Sequence, residues 1–157
     1  AQNLNRLEHI PKLILSSDQI ERGIDELERL GRLDSLIIQQ AQASNKDFHS
    51  SIIALCGNDF IGHTCEQISY LPMLAVGSMV FDKSADDSSE HFARAVFRLR
   101  LGNAQHRVII EAIENGDPVR AEGMMREHSH TMIEYIQTFE KRNSSLTVAD
   151  LIPYTNT

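Results

Sequence analysis

The chain has 157 residues, 41% of them hydrophobic, and carries a formal net charge of −7. This length and composition suit one folded domain and exclude an intrinsically disordered chain. The acidic balance argues against a nucleic-acid surface, because such surfaces carry a basic face. The two cysteines, Cys56 and Cys65, are too few for a disulfide framework, and no apolar run reaches the ~20 residues of a membrane span. We therefore expect a cytoplasmic protein without membrane association.

Prolines and glycines are few and widely spaced, which predicts an all-α protein. We expect a single domain over residues 1–157, folded as an antiparallel helical bundle of about six to seven helices. Pro11 is expected to bend or interrupt the first helix, and Ser17 to cap the second. Gly116, Asp117 and Pro118 are expected to end one long helix and begin the last. In chain order the predicted helices span 4–15, 17–31, 33–55, 60–70, 73–81, 89–114 and 118–141.

Apolar residues recur at spacings of three and four along three of these helices, which marks one face of each for burial. The polar residues on these faces are Asn45, Asn103, His106 and His128, and His49 borders the face of its helix. A buried polar group costs free energy unless it finds a partner. One such histidine is usually a hydrogen-bonded core residue. Three helices that each direct a ligand-type side chain inward indicate a common site.

The last two predicted helices place two of these histidines opposite each other. His106 lies nine residues before Asn115, and His128 lies ten residues after Pro118. At 1.5 Å rise per residue, both lie roughly 14–15 Å from the turn. In an antiparallel hairpin the two imidazoles therefore face each other.

The third predicted helix adds two more candidate ligands. Asn45 and His49 are spaced i, i+4 and project from one side of this helix. With the histidine pair they give three imidazoles and one amide oxygen, a set that suits zinc, nickel, copper, iron or a similar divalent metal. The alternative is a buried polar network without a metal.

Three segments taken together are similar to one known family. Residues 45–49, Asn-Lys-Asp-Phe-His, are followed by Gly57-Asn58 and are similar to D-x-x-F-H followed by G-N. Residues 105–117 are similar to a pattern H-x-x-I-x-x-A-I-x-x-G-D, and residues 120–128 to A-x-x-x-M-x-x-H. The chain thus resembles the FCD effector-binding domain of the FadR branch of GntR-type transcription regulators, particularly the VanR-like group.

The resemblance implies a helical bundle that holds a divalent metal, zinc or nickel, and binds a small organic acid beside or on the metal. The implied ligands are Asn45, His49, His106 and His128. Asn45 stands where aspartate is common in the family, so the site carries one less negative charge, which favours an anionic effector. The resemblance also implies a homodimer that binds operator DNA only through a preceding winged helix-turn-helix domain. Residues 1–157 show no basic recognition helix, so we expect that domain to be absent from this chain.

Candidate effector contacts lie on the same predicted helix as His106. Asn103 is one turn before His106 on the inward face. Arginine matches a carboxylate with its planar fork, which makes Arg98 and Arg94 candidates as well. Arg98 lies roughly 80° round the helix from His106, and Arg94 lies further round. A solvated basic face is the alternative use of both arginines.

Two further function classes compete with a ligand-sensing domain. One is a helical metalloenzyme that acts on a small carboxylate, but the chain lacks H-E-x-x-H, the paired Glu-x-x-His ligands of di-iron bundles, and any nucleophile–base pair. The other is a metal-free helical interaction module. We expect no enzyme activity, because no general base accompanies the histidines.

Overall fold

The computed structural model describes residues 2–68, 79 and 89–142, with only the backbone course given for 2–7 and 135–142. This part of the chain contains helices and no strand, so the all-α prediction is confirmed. It forms two compact units, one with the first three helices and one with the last two. The five helices are α1 (Gln2–Leu30), α2 (Ser35–Leu55), α3 (Asp59–Ile68), α4 (Ser89–Glu114) and α5 (Pro118–Arg142).

The first two predicted helices are in fact one, and the expected interruption is wrong. Helix α1 continues through Pro11 and past Ser17. A proline inside a helix costs ~3 kcal/mol, because it removes one backbone hydrogen bond and crowds the preceding turn. Burial of Leu13, Ile20 and Ile24 on one continuous stripe offsets that cost. Ser17 is itself fully buried within the stripe, so it caps no second helix.

The first unit is built on an antiparallel hairpin of α1 and α2. Gly31, at a φ of 66°, ends α1 in the left-handed conformation that glycine adopts without strain. The Asp34 carboxylate then accepts hydrogen bonds from the backbone N–H groups of Leu36 and Ile37 and so caps α2. Seven apolar side chains, each at most 3% exposed, form the core between these helices: Leu13, Ile20, Ile24, Leu27, Ile38, Ala41 and Phe48.

The second unit is the hairpin of α4 and α5, joined by the predicted turn. Gly116 has a φ of 69° and donates to the Ile113 carbonyl. Asp117 donates its N–H to the Ala112 carbonyl at 2.8 Å, which completes a Schellman motif. The Asp117 side chain accepts from the N–H of Arg120 at 3.0 Å. One pair of residues thus ends α4 and begins α5, as the sequence predicted.

The described residues contain five helices rather than the predicted six to seven, for two reasons. Two predicted helices merge into α1, and the predicted helix over 73–81 lies outside the described residues apart from Met79. Within the described residues, no helix is both long enough and apolar enough to cross a membrane.

Candidate metal centre

A pair of facing histidines lies at the centre of the α4–α5 hairpin. His106 on α4 is 1% exposed, and His128 on α5 is half-buried. Their Nε2 atoms lie 3.3 Å apart, with ring centroids 4.7 Å apart and ring planes inclined by 52°. The prediction that these imidazoles face each other across the hairpin is therefore confirmed.

Three positions on one face of α4 contact the His128 imidazole. Gly102 lies beneath the ring, because a Cβ added at Gly102 would be 3.6 Å from His128 Cε1. Gln105 holds the far side of the ring, with Oε1 2.8 Å from His128 Nδ1. His106 faces Nε2. Positions i, i+3 and i+4 of one helix thus fix the ring from three directions.

Burial sets the protonation state of this histidine. Burial lowers the pKa of His128 below its ordinary value of 6.5, because the charged imidazolium loses hydration there. The folded chain therefore binds fewer protons at His128 than the unfolded chain does. Acidification below pH 6.5 thus lowers the free energy of unfolding. Near neutral pH the imidazole is uncharged, the form that a metal requires.

The spacing of the pair fits two ligands of one metal ion. Two nitrogens that each lie ~2.05 Å from a tetrahedral metal are ~3.3 Å apart. The two Nε2 atoms are separated by 3.3 Å. The distance between the two Nε2 atoms therefore suits two ligands of one divalent ion, and it also suits a direct hydrogen bond between the rings.

The other two predicted ligands lie on α2, in the first unit. Asn45 is 4% exposed, as expected for a polar residue on the inward stripe. His49 is half-buried one turn later, and its ring meets the Phe48 ring edge-on at a centroid distance of 5.4 Å. Both side chains therefore belong to the inner side of α2 rather than to its solvent face.

The three predicted effector contacts differ in their surroundings. Asn103 is 1% exposed, so the structure confirms that it faces the interior. Arg98 is half-buried. Arg94 is exposed and forms an ion pair with Glu90, one turn earlier on α4. Of the two arginines, Arg98 has the more interior position.

Sequence reasoning gave no role to Gln105 or Thr131, although both contact the histidine pair or its partners. Gln105 is 8% exposed and its Nε2 lies 3.2 Å from Thr131 Oγ1. Gln105 precedes His106 by one residue, and Thr131 follows His128 by three. In an antiparallel hairpin these offsets place both residues on the side of the pair away from the turn; the sequence indicates that position but not the hydrogen bond between them.

The described part of the chain is all-α, with a facing histidine pair and buried asparagine side chains on its helices. The family model described as FCD domain matches residues 15–131, which include every candidate site residue. The chain belongs to this family, whose members are the effector-binding domains of GntR-type regulators. No curated protein and no solved structure matches the chain.

Proposed function

We propose that this chain is the sensing domain of a cytoplasmic transcription regulator, in which a divalent metal anchors a small organic acid. The single observation that carries the metal is the facing pair of Nε2 atoms, 3.3 Å apart. Zinc or nickel suits such imidazole donors. When bound, the metal supplies a positive charge that an anionic ligand neutralises.

The remaining ligands in the proposal are His49 and Asn45. Their spacing of one helical turn on the inner side of α2 supports their use as a pair. His49 completes a three-histidine set, and Asn45 is a weaker fourth ligand because its amide oxygen carries no charge. Coordination positions then remain for the effector.

The effector is a mono-, di- or tricarboxylic acid. Neutral imidazoles and a neutral amide leave the charge of the metal uncompensated, and an unpaired charge is costly to bury. Asn103, 1% exposed, is the proposed polar contact, and half-buried Arg98 is the proposed cation. Use of Arg94 would require that its ion pair with Glu90 break.

In a transcription regulator of this kind, we propose that a different domain contacts the DNA. The net charge of −7 disfavours contact with a nucleic acid. We propose that operator DNA is bound through a winged helix-turn-helix domain of the same regulator, and that the chain assembles as a homodimer. The acid then alters DNA binding because it binds more tightly to one conformation of the dimer than to the other.

Elemental analysis of the purified chain tests the metal centre. We expect about one equivalent of divalent metal in the wild type, and its loss from His106→Ala, His128→Ala and His49→Ala, because each removes one of three strong ligands. His130→Ala is the matched control, since His130 is exposed and two residues beyond His128. Equal metal content in His106→Ala, His128→Ala and the wild type would contradict the proposal.

A further inference from the structure

A chain of hydrogen bonds runs from the backbone of α5 to the His128 imidazole. The Thr131 hydroxyl donates to the Glu127 carbonyl at 3.0 Å. The Gln105 amide nitrogen donates to Thr131 Oγ1 at 3.2 Å. The other end of the same amide, Gln105 Oε1, lies 2.8 Å from His128 Nδ1. Both hydrogen bonds of Gln105 are part-buried, where unmade bonds are costly.

The chemistry of each group fixes the direction of this chain. A hydroxyl has one proton, and Thr131 gives it to the Glu127 carbonyl, so Thr131 Oγ1 accepts from its other neighbour. The end of the Gln105 side-chain amide that faces Thr131 must therefore be the NH₂ group, because it has to donate. The carbonyl end of Gln105 then faces His128 and can only accept, so His128 Nδ1 must carry the hydrogen.

We infer that Gln105 and Thr131 are positioning residues that hold His128 as the Nδ1–H tautomer and direct the lone pair of its Nε2 towards His106. A neutral imidazole has one N–H and one acceptor nitrogen, so protonation of Nδ1 makes Nε2 the acceptor. Nε2 is the atom that lies 3.3 Å from His106 Nε2. The inference deepens the proposed function and rests on it in one respect, that a metal is the partner of this lone pair.

Gln105 also fixes the orientation of the His128 ring, in addition to its tautomer. The Gln105 oxygen fixes one nitrogen of the ring from α4, while the ring packs against Gly102 one turn before His106. A hydrogen-bond acceptor on the second nitrogen also raises the basicity of a ligating histidine. Loss of such a partner typically weakens metal binding by about 10–100-fold.

The tautomer of His128 can be measured without any metal. In the intact 157-residue chain after treatment with a chelator, the ¹⁵N chemical shifts of the His128 ring distinguish Nδ1–H from Nε2–H. We expect Nδ1–H in the wild type and a mixture of tautomers in Gln105→Leu. Gln105→Glu should keep Nδ1–H, because a carboxylate at this position can only accept.

Thr131 is tested by a conservative pair and a matched control. Thr131→Ser keeps the hydroxyl and should keep the tautomer, whereas Thr131→Val frees the Gln105 amide to rotate and should weaken the preference. Ser129→Ala removes the same kind of hydroxyl-to-carbonyl bond from α5, here to Met125, without a link to Gln105. Ser129→Ala should therefore leave the His128 shifts unchanged.

Metal affinity, measured by competition with a chromophoric chelator, gives the second readout. We expect zinc binding about 10–100-fold weaker in Gln105→Leu and near wild type in Gln105→Glu and Ser129→Ala. Unchanged His128 shifts in Gln105→Leu, or Nε2–H in the wild type, would overturn the inference even if the metal binds. Absence of metal from the wild type, with the shifts as expected, would instead overturn the proposed function alone.

Discussion

The imidazole of His128 packs against Gly102, a residue without a side chain. Gly102 lies on α4 one turn before His106, and a Cβ there would reach His128 Cε1 at 3.6 Å. That distance is an ordinary van der Waals contact, so one methyl group fits. A larger side chain adds atoms beyond this Cβ in a contact that is already closed, so we expect it to displace the ring. The identity of one small residue thus limits where a ligand ring can lie.

Substitutions at Gly102 should separate helix stability from ring position. Gly102→Ala should raise the free energy of unfolding by about 0.5–1 kcal/mol, because alanine loses less backbone entropy in a helix. Its metal content should match the wild type. Gly102→Leu should displace the His128 ring and lower the metal content. Thermal melts and elemental analysis of both variants check this, and a stable Gly102→Leu protein with full metal would be the contrary result.

The turn between α4 and α5 fixes how far along each helix the site lies. The Schellman motif at Gly116 and the cap at Asp117 set the last residue of α4 and the first of α5. His106 and His128 then lie opposite each other because they are nearly the same distance from that turn. A slip of one residue in the turn would rotate one ring by ~100° and separate the pair.

Alanine at two glycines of this hairpin should change stability in opposite directions. Gly116→Ala should cost about 1–2 kcal/mol, because its φ of 69° crowds a Cβ against the carbonyl oxygen. Gly123→Ala, in α5 with nothing within 4 Å of its added Cβ, should stabilise by about 0.5–1 kcal/mol. Urea unfolding of both variants measures the difference. The same sign for both would show that backbone conformation is not what glycine provides at Gly116.

At the scale of the molecule, an acidic domain with a neutral donor set is proposed to bind an anion through a metal. The overall charge of −7 repels a free carboxylate at long range, so attraction must arise locally. In the proposal a divalent metal held by the histidines supplies this attraction, and screening by salt is weak in a buried position. The apolar cores of both units exist apart from the metal, so the helices should persist without it.

Thermal shifts with organic acids, with and without a chelator, should reveal this dependence. Succinate and citrate serve as probes, and succinamide is the uncharged match for succinate. A binding acid should stabilise the metal-loaded chain by about 2.7 kcal/mol at a hundredfold excess over Kd. The shift should vanish after chelation and in His106→Ala, while circular dichroism keeps its helical signal. Equal stabilisation by succinamide, or by acids in the chelated protein, would rule out the metal as the anchor.

The local sequence determines the α4–α5 turn, the inward position of several polar residues and the pairing of the two histidines. Glycine, aspartate and proline at 116–118 determined the α4–α5 turn, because their backbone preferences act without long-range contacts. The spacing of apolar residues placed Asn45, Asn103 and His106 in the interior, and counting residues from the turn brought the histidines face to face. The family resemblance, confirmed by the match over 15–131, rests on segments that include Asn45, His106 and His128.

Tertiary packing determines two features that local sequence preferences do not predict: the continuity of α1 and the tautomer of His128. Pro11 and Ser17 favour a break, yet burial of the stripe on both sides of them keeps α1 continuous, because packing outweighs a local cost of a few kcal/mol. The tautomer of His128 depends on Gln105 and Thr131, which are 26 residues apart in the chain. Such a hydrogen bond has no periodic signature, since it exists only once two helices have packed in one register.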